Sequence, residues 1–218
     1  MSLSAAHRTD GGIHRLIATS RQVWRELPAA LAIGVITIAG TMPVVGSVFA
    51  GAPAWVLGVS TLPFFLVSTG IAHVGVRVSR GERPRVESLA QGDVGVALIL
   101  SGAMTLSAAL IQIDGVARGA GFALTALTLF TAPIIVGYGA IRDRRGISAI
   151  RGGLILTAAK PLEAVTLLSV GILVSFALIA SAGVLGLVAP VFLATFIAHT
   201  VAGMLTELDI YPTSESVS

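Results

Sequence analysis

The chain has 218 residues, of which 55% are hydrophobic and only 11% charged, with a mean hydropathy of +0.92. Soluble domains carry about 25% charged residues, so a water-soluble globule is excluded. The absence of cysteine excludes disulfides, thiol nucleophiles and thiolate metal sites. The net charge of +3 comes from basic residues clustered between apolar stretches, which is where membrane topology places them, and no nucleic-acid partner is expected.

In chain order, residues 1–27 read as a basic amphipathic segment. Between Gly12 and Leu27, the residues Ile13, Leu16, Ile17, Val23, Trp24 and Leu27 can share one helical face, with His14, Arg15, Arg21 and Arg25 turned away. Such a helix lies in the membrane interface or docks a partner. The first strongly apolar stretch begins near Leu27 and is too long for a signal-peptide core, so the whole chain is expected to be retained.

Residues 28–206 form the expected transmembrane domain. Four windows lack Asp, Glu, Lys and Arg: Leu27 to Val76, Val94 to Ile113, Gly119 to Ile141 and Ala164 to Thr206. A helix needs about 20 residues to cross the hydrocarbon core. The two middle windows are therefore one span each, and the two longer outer windows are two spans each. The first long window breaks where Pro and Gly cluster, from Pro43 to Pro53, and the second near Gly183 and Gly186. The resulting fold is an all-α, polytopic bundle of about six spans at 28–46, 54–77, 94–113, 119–141, 162–182 and 186–206.

Charge sets the orientation, because Lys and Arg accumulate in cytoplasmic loops. Arg8, Arg15, Arg21 and Arg25 precede the first span. Arg77, Arg80, Arg83 and Arg85 follow the second, and Arg142, Arg144, Arg145, Arg151 and Lys160 follow the fourth. Only Arg118 falls on the opposite side, beside Asp114, with which it is expected to pair across a turn. Both termini are thus expected in the cytoplasm of a bacterial plasma membrane. Gly146 to Lys160 forms a second amphipathic segment, with Ile147, Ile150, Leu154 and Ile155 opposed to Arg151 and Lys160. Residues 207–218 are expected to form a short acidic cytoplasmic tail.

No phosphate loop, zinc-protease helix or nucleophile elbow is present, and no catalytic residue, metal or cofactor is expected. Asp10 and His14 have metal-ligand spacing, but Gly11 and Gly12 argue against a helix between them. Ionisable groups within spans are the best functional pointers, since each needs a partner or water. His73 and His199 lie at similar depth near the inner ends of their spans, and Asp93 begins the third. Together they form the candidate polar intramembrane site; the plain reading is two neutral histidines, each holding one hydrogen bond. Pro63 and Pro133 are candidate helix kinks. Small-residue stripes occur at Ala194, Ala198 and Ala202, at Gly171 and Ser175, and at Ser101, Thr105 and Ala109. They suit helix packing within the chain, a homo-oligomer or a membrane-protein partner.

The stretch Met42-Pro-Val-Val-Gly-Ser-Val-Phe-Ala-Gly-Ala-Pro-Ala-Trp55 resembles the proline-containing end of the first span in the YesL-type bacterial membrane proteins. Arg77 through Gly81-Glu-Arg-Pro84 and Ser88-Leu-Ala-Gln-Gly-Asp93 resembles their second cytoplasmic loop, and Gly146 to Leu173 their amphipathic run into a late hairpin. The polar and aromatic residues expected in the first span are replaced here by Ala32-Ile-Gly-Val-Ile-Thr-Ile-Ala39. The resemblance implies a small helical membrane protein whose relatives are encoded beside carbohydrate-uptake systems, and it supplies no catalytic residue. The function expected is that of a non-enzymatic accessory or interaction protein. The alternative is a small-solute transporter or channel with a cavity near His73 and His199.

Overall fold

The computed structural model describes residues 27–181 and 184–208. The expected amphipathic segment before Leu27, with Asp10, His14 and its four arginines, lies outside those residues, as does the tail beyond Leu208.

Among the described residues, six helices are long and apolar enough to cross a membrane, and the protein is a multi-pass helical bundle. They are α1 (Leu27–Phe49), α2 (Ala54–Ser79), α3 (Val94–Ile111), α4 (Val116–Arg142), α6 (Pro161–Ala180) and α7 (Ala189–Glu207). A shorter helix, α5 (Ile147–Ala159), precedes α6, and short 3-10 turns occupy Val86–Gln91 and Val184–Leu187. Among the described residues there is no strand. Helices dominate because backbone groups in hydrocarbon have no water to bond and must be paired within their own segment.

The first span, expected to end at 46, runs three residues further with Pro43 inside it. The helix continues through it to Phe49. Proline removes one backbone bond, whereas stopping inside hydrocarbon would strand a whole turn of carbonyls. The reversal comes at Ala50–Pro53, where Gly51 takes φ 61° and the Ala52 amide donates to the Ser47 carbonyl at 2.9 Å.

Two spans form the centre. α2 packs against α1, α3, α4 and α7, and both α2 and α7 bury residues along most of their length. Their backbones meet where a Cβ on Gly75 would lie 2.4 Å from the carbonyl carbon of Ala194. Such an approach suits lipid, where helix association depends on close packing rather than on expelling water. Ala194 and Ala198 are buried, so this expected small-residue stripe packs within the chain. So does the stripe on α3. Ser101 Oγ donates to the Gly58 carbonyl at 2.7 Å and lies 2.9 Å from Thr61 Oγ1, while Thr105 fills the space beside Gly58. The Gly171 and Ser175 pair on α6 is different. Nothing comes within 4 Å of a Cβ placed on Gly171, and Ser175 is exposed.

Burial is concentrated toward the end of the bundle that carries the basic loops. α1 buries Ala30 and Ile33 near its start, α3 buries Val96, Ala97 and Leu100, and α6 buries Ala164 and Leu167. These residues belong to three apolar clusters, each centred on α2, α4 or α7. Toward the opposite end, the outer faces of α1, α3 and α6 are largely exposed and meet lipid.

The α5 helix corrects the expected division of its faces. It buries Ala149, Gly153 and Leu156, while Ile147, Arg151, Leu154 and Ile155 share the exposed side. Small residues win the inner face because α5 lies directly on α4. A Cβ on Gly152 would meet the Tyr138 ring at 2.1 Å, and one on Gly153 would meet Ile135 Cα at 2.5 Å. Arg151 therefore accompanies the bulky apolar residues outward, as a long cationic side chain does at a membrane interface.

Candidate functional site

Asp93 is fixed by hydrogen bonds on every side. Its Oδ1 accepts the amides of Gly95 at 2.8 Å and Val96 at 3.2 Å, capping α3. Its Oδ2 accepts the amide of Gly146 at 2.6 Å, at the start of α5, and its own amide donates to Thr69 Oγ1 at 3.0 Å. Only glycine suits position 146, because its φ of 56° is paired with a ψ of −132°. One carboxylate thus satisfies orphan amides at two helix starts. It is a structural clamp joining α2, α3 and α5, which accounts for an acidic residue at this depth.

His73 lies beside this clamp. With Thr69, Asp93, Asp143, Arg144 and Arg145 it lines a polar pocket of about 10 Å³ near the basic end, room for about one water molecule. His199 is not among the lining residues, and helix geometry explains why. At about 100° per residue, His73 sits roughly 160° around α2 from Gly75, and His199 roughly 140° around α7 from Ala194. Because Gly75 and Ala194 are the residues that touch, both histidines point away from the α2–α7 interface. The same contact separates them along the helices, because both α2 and α7 run toward the basic end. His73 precedes the contact by two residues and His199 follows it by five, about 10 Å at 1.5 Å per residue, so the two are not placed in one pocket. His73 and Asp93 are brought together, and His199 stands apart, half-buried on α7.

At the opposite end, Arg118 Nη2 donates to Asp114 Oδ1 at 2.5 Å, the expected pair across the turn. At the basic end, Arg77 pairs with Glu82 at 3.0 Å, and Lys160 with Glu207 at 2.6 Å. Among the described residues, no group of three or more His, Asp or Glu is placed to hold a metal ion.

Of the two expected kink positions, α2 passes unbroken through Pro63 and α4 through Pro133. The Pro63 carbonyl lies 3.5 Å from a Cβ placed on Gly40, at the α1–α2 contact. Pro133 lines a much larger cavity, to which Pro63, His73 and His199 do not contribute. It measures about 410 Å³ and lies between α1, α2, α4 and α7, with Leu178 and Gly186 at its edge. No lining residue is charged. Its three hydroxyls are spent within their own helices: Thr37 donates to the Ile33 carbonyl at 2.8 Å, Thr41 to Ile38 at 2.7 Å and Ser68 to Phe64 at 2.8 Å. Such a space repels water.

No protein-family model, curated protein or solved structure matches the chain.

Proposed function

We propose that this is a non-enzymatic accessory protein of a bacterial plasma membrane that acts by associating with another membrane component. Its arginine-rich end and both termini face the cytoplasm. A carbohydrate or other solute uptake complex is the partner class to test first, as the YesL-type resemblance implies.

The observation that carries this reading is the outward face of α6. Gly171 has open space above it, and Leu173 and Phe176 are 68% and 66% exposed on the same helix. Gly171 and Ser175 form a small-residue notch, and Gly171 lies about 140–160° around the helix from Leu173 and Phe176. The α6 helix thus leaves open both a side of small residues, by which membrane helices pack closely, and a side of bulky apolar ones. The polar groups add support. Asp93 is consumed in capping, and the hydroxyls lining the large cavity return to backbone carbonyls.

The test is mild-detergent isolation from native membranes, with a photo-crosslinker replacing Leu173 or Phe176. Stoichiometric recovery of one uptake-complex subunit, crosslinked from both positions, is expected. Recovery of the chain alone without crosslinks at either position contradicts the reading. The transporter alternative needs a polar route past His73 and His199, and a charge-free cavity beside a pocket of about 10 Å³ gives it little support. Reconstituted flux that falls in the His73→Ala, His199→Ala double variant would favour that alternative.

A further inference from the structure

We propose that the large cavity between α1, α2, α4 and α7 is a binding site for one acyl chain of a bilayer phospholipid. Its walls run from Phe64 to Ala72 on α2 and from Ala189 to Ile197 on α7. At 1.5 Å per residue each wall is about 12 Å long, close to the roughly 15 Å depth of one leaflet's chains. The lining offers no charge and no spare hydroxyl donor, so recognition is by shape and apolar contact.

The space is kept open by small residues. Ala72, Ala132, Ala189, Ala194 and Gly186 line it, and larger side chains at these positions would occupy the room that a chain needs. At Gly186 an added Cβ would make only ordinary contacts, 3.6 Å from Leu178 and 3.8 Å from Ile38. A leucine there is tolerable to the backbone and reaches toward the cavity. The surrounding bilayer supplies acyl chains at high concentration, whereas a polar solute would gain nothing from these walls.

The full-length protein is purified in maltoside detergent after reconstitution with a phosphatidylcholine bearing a diazirine midway along one acyl chain. Extended detergent washing strips lipid from the outer faces before irradiation. About one lipid per chain is expected to remain, with adducts on Leu129, Leu193 and Ile197 and few on Leu173 or Phe176. In the Gly186→Leu, Ala132→Leu double variant, retained lipid and adducts fall on the order of tenfold, as expected when several methylenes lose their contacts. Gly102→Leu, on the open face of α3, leaves both unchanged. A washed protein without lipid or adducts overturns the proposal, as do adducts spread evenly over α6 or unaffected by filling. If the double variant fails to fold, competition on the unaltered protein decides. Unlabelled phosphatidylcholine should displace the probe, and oleate competing equally well overturns the assignment to a phospholipid.

Discussion

The carboxylate of Asp93 accepts the backbone amide of Gly146 at 2.6 Å, joining the start of α3 to the start of α5 across 53 positions of sequence. Its other oxygen caps α3, and its amide is held by Thr69 of α2. One side chain thereby sets the position of three helices at the basic end.

Removing that carboxylate should loosen all three elements together. Asp93→Ala leaves the Gly95, Val96 and Gly146 amides without this acceptor, and bonds to a charged acceptor are each worth about 1.5–3 kcal/mol. Allowing for partial replacement by water, the loss should be about 2–4 kcal/mol. Thermal unfolding in detergent should show a clear drop in Tm, and hydrogen exchange should rise in α5. A Tm within error of the parent protein would mean that the clamp is incidental.

Glycine substitutions should divide sharply by position. Gly75→Ala places a methyl group 2.4 Å from the Ala194 backbone, which cannot move aside as a flexible side chain would. A cost of about 1–3 kcal/mol is expected from overpacking. Gly102→Ala has nothing within 4 Å of the new atom and should be neutral, or stabilising by up to about 1 kcal/mol through helix propensity. Thermal stability of the two variants in one detergent checks the contrast.

The two histidines should behave independently. Each points away from the α2–α7 contact, so the stability effects of His73→Gln and His199→Gln should add to within about 0.5 kcal/mol in a double-mutant cycle. A coupling energy above 1 kcal/mol would show that they do interact, through a partner or a water.

The Asp114–Arg118 pair should contribute little. Asp114 is 90% exposed and Arg118 52%. Exposed pairs are typically worth no more than about 1 kcal/mol. Asp114→Asn should leave Tm nearly unchanged, and a large fall would point to a role in the turn itself.

The spans were legible because a charge-free stretch of membrane length admits few readings. Val94 was placed as a helix start and observed as one, and the second span's expected end at 77 lies within two residues of Ser79. The Pro43–Pro53 region was harder, since proline and glycine mark both a turn and a tolerated irregularity within a span. Asp93 was visible as an anomaly, but its partner Gly146 is distant in sequence, so capping of a second helix had no local signal. The histidine pairing was argued from expected depth alone, and the Gly75–Ala194 contact sets both a rotation and an axial offset of about seven residues between them. Neither the Gly75–Ala194 contact that fixes rotation nor the cavity, which exists where small residues from four helices coincide, is written in any one segment.

The most direct test of the membrane arrangement uses the absence of cysteine. Single cysteines replace Glu87 and Ser148 at the arginine-rich end, or Ala52 and Ile113 at the other. Intact cells are treated with a membrane-impermeant maleimide. The account predicts that Ala52→Cys and Ile113→Cys react from outside, while Glu87→Cys and Ser148→Cys react only once the membrane is opened. Labelling of cysteines from both ends in sealed cells, or the reverse pattern, would contradict six spans with the basic end inside.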